Sequence, residues 1–305
     1  MMERPEVKDQ SASYSQITFN RVRPLGFRSP QPIKHVRYPW RPKEKSVTIA
    51  LGILTHDAVV IAADTQIGAD YLKTGHGKIS WGRVSSGAGQ GAMAITGSGT
   101  TAYLDHIQKD FVSLFAPNKP VMNADDFHQH ASEYLVAFYS DHVIPFSSYG
   151  SERPSVDILI GYSDGNKSML LASEHNVLTQ YGSYHAIGAG AMDARILFNR
   201  IFLSMWPLSM RSAMLLAAYV VFNVKECVDG CGKDTDIVVI TRDQVIVVGR
   251  DKINAMELVF RSCLTVEANM LRAVFQDEQT LTGSGGGLSR DLRKLRGMLS
   301  KVMSV

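Results

Sequence analysis

The side chains able to do chemistry lie in a few short segments of this 305-residue sequence. Thr48 stands at the start of a β-branched run, Asp64 closes the next, and Gly77-Lys78-Ile79 and Thr96-Gly97-Ser98-Gly99 follow. A threonine hydroxyl is a poor nucleophile unless a base accepts its proton, so Thr48 alone promises nothing. Each of the four also has an ordinary structural reading. Thr48 is at home in a strand, Asp64 could end one at a turn, Lys78 could be a solvated strand-end charge, and Gly97 could start a loop. Cys227-x3-Cys231 could form half of a metal site, but four-ligand zinc needs a second pair that the sequence lacks, which favours buried or incidental thiols. Asp126 and His130, with His128 between them, complete no metal motif and read as a solvated helix face. Gly87-Ala88-Gly89-Gln90-Gly91 lacks the Gly-Lys-Ser/Thr ending of a phosphate loop and reads as a glycine-rich hairpin.

The elements that must position these residues are legible in the hydrophobic pattern. Residues 47–54 and 58–63 are nearly continuous apolar runs around a polar turn, which predicts a hairpin buried on both faces. Strands are predicted over 78–81 and 92–96, then helices over 101–115 and 124–142, the second capped by Asn123. Strands return at 156–162, 168–172, 177–181 and 185–187, helices at 192–203 and 210–227, strands at 236–241 and 244–248, and a helix at 253–275. Runs of strands alternating with paired helices predict an α+β fold, a four-layer α-β-β-α sandwich.

The ordered series Thr48-Ile49-Ala50-Leu51-Gly52, Val59 to Thr65, Gly77-Lys78-Ile79, Thr96-Gly97-Ser98-Gly99 and Ala186-Ile187-Gly188-Ala189-Gly190-Ala191 resembles the proteasome β-subunit family and its bacterial relatives, which are N-terminal-nucleophile hydrolases. The resemblance spans residues 47–249. It implies that Thr48 is the nucleophile and that its own α-amine, once freed, is the base, with an ordinary pKa of about 7.7 to 8.0. It also implies that Lys78 and Asp64 form a supporting ion pair and that the Gly97 N–H stabilises an oxyanion. Glu226 and Asp229 stand nearest to the Asp and Ser that the family carries after its fourth helix.

The sequence departs from the family in several places. Val47 replaces the glycine usual before the nucleophile, Gly188-Ala189-Gly190-Ala191 lacks the family's serine hydroxyls, and Gln66 stands where many relatives have arginine. The resemblance thus leaves three functions open. One is a threonine-type peptidase acting on peptides or unfolded proteins in a homo-oligomeric ring, with an ATP-dependent unfoldase among its partners. The second is an inactive structural subunit that keeps its N-terminal arm. The third is an amidohydrolase of small amides. No metal or other cofactor is implied.

Composition bounds the remainder. With 45% hydrophobic and 20% charged residues, the chain is neither fibrous nor wholly disordered. Its net charge of +3 hides a partition: residues 1–45 hold ten Lys/Arg against four Asp/Glu, residues 288–305 hold five basic residues against Asp291, and the body between is near −7. Six of eleven prolines fall in the first 45 residues. Three domains follow: a Pro-rich basic leader or propeptide at 1–46, the proteasome-like domain at 47–282, and a Gly-rich linker with a short basic helix at 283–305. Basic ends without a recognition fold, on an acidic body, argue against nucleic acid. Three sparse cysteines, no signal peptide and no apolar stretch near 20 residues predict a soluble cytoplasmic protein, away from membranes.

Overall fold

A computed structural model describes residues 48–69, 72–75, 77–86, 89–117, 122–145, 154–202, 207–242 and 244–275, and 290–301 apart from 292, 296 and 299. The basic leader, Val47 and the Gly283–Gly287 linker lie outside the described residues. The element order is β1 (Ala50–Leu54), β2 (Ala58–Asp64), β3 (Gln66–Ala69), β4 (Leu72–Gly75), β5 (Ser80–Ser86), β6 (Gly89–Gly99), α1 (Thr101–Leu114), α2 (Ala124–Phe138) and a π-helical turn (Tyr139–Val143). Then come β7 (Val156–Ser163), β8 (Ser168–Glu174), β9 (Val177–Tyr181), β10 (Tyr184–Ile187), α3 (Ala191–Phe202), α4 (Met210–Cys227), β11 (Thr235–Thr241), β12 (Val245–Val247) and α5 (Arg250–Phe275). The described residues between 290 and 301 are also helical.

Two five-stranded sheets, ordered β10-β1-β2-β11-β12 and β5-β6-β7-β8-β9, are antiparallel throughout, and β3 pairs with β4 as a separate ribbon. Strand alternation explains the continuous apolar runs. Ala50, Val59 and Ile61 of one sheet pack with Ala94, Leu159 and Leu170 of the other, while Leu51, Val60 and Ala62 turn to α3 and α4. Gly161 faces Val59 and Ile240 so closely that a Cβ there would lie 2.9 Å from Val59 Cγ1. The second sheet covers its other face with Ile107 and Phe111 of α1 and Phe127 and Leu135 of α2.

This arrangement corrects the expected four-layer sandwich of the N-terminal-nucleophile hydrolase type. The β3–β4 ribbon belongs to neither sheet, and on the side of the first sheet a further helix, α5, packs against α4 as well as against β11. The reason lies in the sequence of α4, where Ala213, Leu216, Ala217, Val220, Val221, Phe222 and Val224 are all buried. A helix apolar on so many sides must be covered twice. The sheet covers one side, and α5 covers another, setting Phe260 5.3 Å from the Tyr219 ring and 5.7 Å from Phe222.

Asn123 caps α2 as its sequence suggests. Its side chain accepts the Asp125 and Asp126 N–H groups at 2.9 Å, and Asp126 completes a capping box. Asn123→Ala is expected to cost about 1 kcal/mol. A urea titration reads this as a lower midpoint with an unchanged slope.

Candidate active site

Thr48 and Ile49 immediately precede β1, and antiparallel pairing of β1 with β2 carries them to the end of β2. Ala50 lies opposite Ala63, so Ile49 meets Asp64. The Ile49 N–H donates to Asp64 Oδ1 at 3.1 Å, and the Asp64 N–H donates back to the Ile49 carbonyl at 3.1 Å. A second donor to the carboxylate arrives from beyond α4, where the Gly232 N–H reaches Asp64 Oδ2 at 3.0 Å. The Asp64 carboxylate is thus wholly buried with its lone pairs engaged, as a buried charge requires.

Lys78 lies just before β5, its carbonyl held by Gln108 Nε2 of α1 at 3.0 Å. Its ammonium donates to Asp64 Oδ1 at 2.9 Å and to Thr48 Oγ1 at 2.7 Å, lengths typical of charge-assisted hydrogen bonds. Thr48 is 1% exposed, and the Lys78 side chain 9%. Three residues read separately in the sequence therefore converge: a hydroxyl oxygen faces an ammonium that a buried carboxylate holds. The ammonium stabilises negative charge on the threonine oxygen, and low local dielectric strengthens that effect.

The backbone after β10 closes the group from the other side. The Thr48 carbonyl accepts the Gly190 N–H at 3.3 Å, and Gly188 has φ +94°. A Cβ at Gly188 would lie 2.2 Å from the Thr48 carbonyl oxygen and 3.2 Å from Ser98 Oγ, so the end of β6 reaches the same place. Cys231 completes the wall. Its buried sulfur lies 3.4 Å from where a Cβ on Gly190 would sit, and burial, reinforced by the Asp64 charge, pushes its thiol up to about 12. Cys231 is therefore a neutral thiol at neutral pH. Cys227 is exposed, so the two cysteines do not face each other across a shared site.

Gly97 lies in β6 beside Ser98. A Cβ there would come within 2.4 Å of Leu104 Cδ2 and 2.9 Å of the Asp157 carbonyl, so close packing by α1 and β7 already demands a glycine. Glu226 and Asp229 are not brought to the group. Both are exposed, and Glu226 faces Arg261 of α5 at 3.7 Å. Gln66 instead donates to the Gly230 carbonyl at 2.7 Å, bracing the loop that presents Cys231 and Gly232. No described cluster of three or more His, Cys, Asp or Glu side chains could hold a metal.

Next to Gly188 an open cavity of about 540 Å³ is lined by Asp157, Glu174, Tyr181, His185, Ile187 and Arg195. Burial first, and the Arg195 guanidinium second, lower the His185 pKa to about 4, which leaves a neutral ring at neutral pH. Arg195 donates to the Ala186 carbonyl at 3.2 Å. Burial raises the Asp157 carboxyl above its usual range.

No protein-family model matches the sequence, and no curated protein does. Solved structures do match. The helical assembly of the Anbu complex from Pseudomonas aeruginosa covers 75% of this chain and 98% of its own at 12% identity, with a TM-score of 0.62. The fold is similar to that of Anbu. Anbu (ancestral beta-subunit) from Yersinia bercovieri matches at 12% identity over 72% of this chain and 95% of its own, with a TM-score of 0.57. The Anbu Gly-1 mutant from Hyphomicrobium sp. strain MC1 matches at 13%, over 73% and 96%, with a TM-score of 0.55. The Anbu matches correct the family expectation, since these neighbours are Anbu proteins and not the proteasome β-subunit family of N-terminal-nucleophile hydrolases. At 12–13% identity, Anbu informs the fold alone. Among the described residues no helix is long and apolar enough to cross a membrane.

Proposed function

We propose that this chain is a threonine-type peptidase subunit of a proteasome-like homo-oligomeric assembly, in which removal of residues 1–47 frees Thr48 as the nucleophile. The observation that carries the reading is the Lys78 ammonium, 2.7 Å from Thr48 Oγ1 and 2.9 Å from Asp64 Oδ1. In the proposed reaction the freed Thr48 amine accepts the hydroxyl proton while Oγ1 attacks the peptide carbonyl. Lys78 offsets the growing negative charge, the Gly97 N–H serves the oxyanion, and the amine returns its proton to the leaving group. Water then cleaves the ester. The cavity beside Gly188 receives the peptide flanking the scissile bond. That the similar Pseudomonas structure is a helical assembly supports the oligomeric part of this reading.

A second reading, an inactive subunit that keeps its leader, is favoured by one observation. Glu226 and Asp229 are exposed, and Ala189 and Ala191 carry no hydroxyl with which to hold the freed amine. Intact mass of the purified assembly separates the two. A mass matching residues 48–305 is expected; a stable full-length mass in the assembled protein would favour the inactive subunit.

A further inference from the structure

The Asp64–Lys78 pair is joined by a residue far from it in sequence. Arg250, the first residue of α5, forms ion pairs with Asp234 and with Asp236, the second at 2.9 Å from its Nη2 to Asp236 Oδ1. These two aspartates do different things. The Asp234 N–H donates to Thr65 Oγ1 at 3.0 Å, and the Asp234 carbonyl accepts the Thr65 N–H at 3.0 Å, which pins the residue directly after Asp64. Asp236 abuts the segment that carries Lys78: its Oδ2 lies 3.5 Å from where a Cβ on Gly77 would sit.

We propose that Arg250 is a positioning residue that fixes both members of the Asp64–Lys78 pair at once: its guanidinium grips Asp234, which brackets Thr65, and Asp236, which packs against the Gly77–Lys78 backbone. A forked, planar cation suits two carboxylates better than a point charge does. The arrangement is poorly suited to a purely stabilising role, because the Arg250 side chain is 45% exposed and Asp234 is 59% exposed, and ion pairs this open contribute little to stability. What the clamp supplies is geometry. Without it, the two carboxylates repel across Thr235, and the segments that carry Asp64 and Lys78 lose their common anchor.

The inference deepens the peptidase reading and rests on it for its kinetic part only. Its first test needs no turnover: pulse labelling of the full chain with an amine-reactive reagent, with Lys78 modification followed by mass spectrometry. Arg250→Gln is expected to raise the Lys78 labelling rate about tenfold through local opening. Arg250→Lys, which can reach one carboxylate at a time, should raise it about threefold. Glu257→Gln is the control, since Glu257 also ties α5 to β11, through Thr235 Oγ1 at 2.8 Å, but touches neither Asp234 nor Asp236. It should stay within about twofold of the wild type. In the second test, kcat for peptide hydrolysis falls about 10- to 30-fold in Arg250→Gln with KM within twofold, a loss of alignment without loss of binding. Equal labelling in Arg250→Gln and Glu257→Gln, or none above wild type in Arg250→Gln, would overturn the clamp. The expected labelling pattern in a protein without any Thr48-dependent turnover supports the clamp and counts against the peptidase.

Discussion

Lys78→Met abolishes useful turnover, by about 10³-fold in kcat, the upper end of the range for removing one group that stabilises developing negative charge. Methionine keeps much of the length and apolar stem of lysine but removes the ammonium that faces Thr48 Oγ1 and Asp64 Oδ1. Two consequences follow from one deletion. The threonine oxygen loses the only charge among the described residues within hydrogen-bond reach, and Asp64 becomes a fully buried carboxylate without its cation. Breaking a buried pair by removing one partner costs about 3–5 kcal/mol, less whatever the Ile49 and Gly232 N–H donors recover. Stability and turnover are therefore measured together: a urea midpoint on the assembled protein, and kcat on a fluorogenic peptide at a temperature where the variant is folded. Lys78→Arg preserves the charge and restores most of the stability, but not the geometry, because the larger planar guanidinium does not fit where the compact ammonium sits between the two oxygens. A Lys78→Met protein that is folded and turns over within threefold of wild type would remove Lys78 from the mechanism.

Much of the path to that residue can be read without coordinates. The two runs before and after Thr55-His56-Asp57 are nearly continuously apolar, and the structure places alternate residues against the facing sheet and against α3 and α4. Thr48 and Asp64 are brought together because antiparallel pairing sets the ends of β1 and β2 side by side, and Lys78 reaches them from the segment before β5 of the facing sheet. Other parts carry no local signal. The β3–β4 ribbon consists of two four-residue strands with glycine in each and no apolar alternation, so periodicity has nothing to report. The second cover on α4 follows from its all-round apolar character, which marks a buried helix but not the partner that buries it. Glu226 carries no warning in the periodicity: it stands four and three residues after the buried Phe222 and Asn223, and only the folded chain shows that the last turn of α4 is exposed there and faces Arg261. Arg250 and Cys231 are harder, because their relevance arises from contacts with Asp234, Asp236 and Gly190 that only the folded chain creates.

Gly188→Ala has the second largest effect, and it acts through a backbone atom. The residue has φ +94°, where an L side chain costs about 1–2 kcal/mol, and the added Cβ would meet the Thr48 carbonyl oxygen at 2.2 Å. An oxygen bound into the peptide plane cannot rotate away as a side chain does. Relief requires Thr48 or the Gly188–Gly190 turn to move by about 1 Å, a displacement sufficient for about a 10²-fold loss of rate when it falls on a reacting group. The same shift strains the 3.3 Å hydrogen bond from the Gly190 N–H, which otherwise fixes the Thr48 peptide. Gly182→Ala, in the short link that carries the chain from β9 in one sheet to β10 in the other, is the matched control, since nothing lies within 4 Å of a Cβ there and its φ is not positive. It should leave kcat and the unfolding midpoint near wild type, while Gly188→Ala lowers both. Equal behaviour of the two variants would mean that the turn after β10 does not set the position of Thr48, and that the pairing of β1 with β2 alone holds the hydroxyl against Lys78.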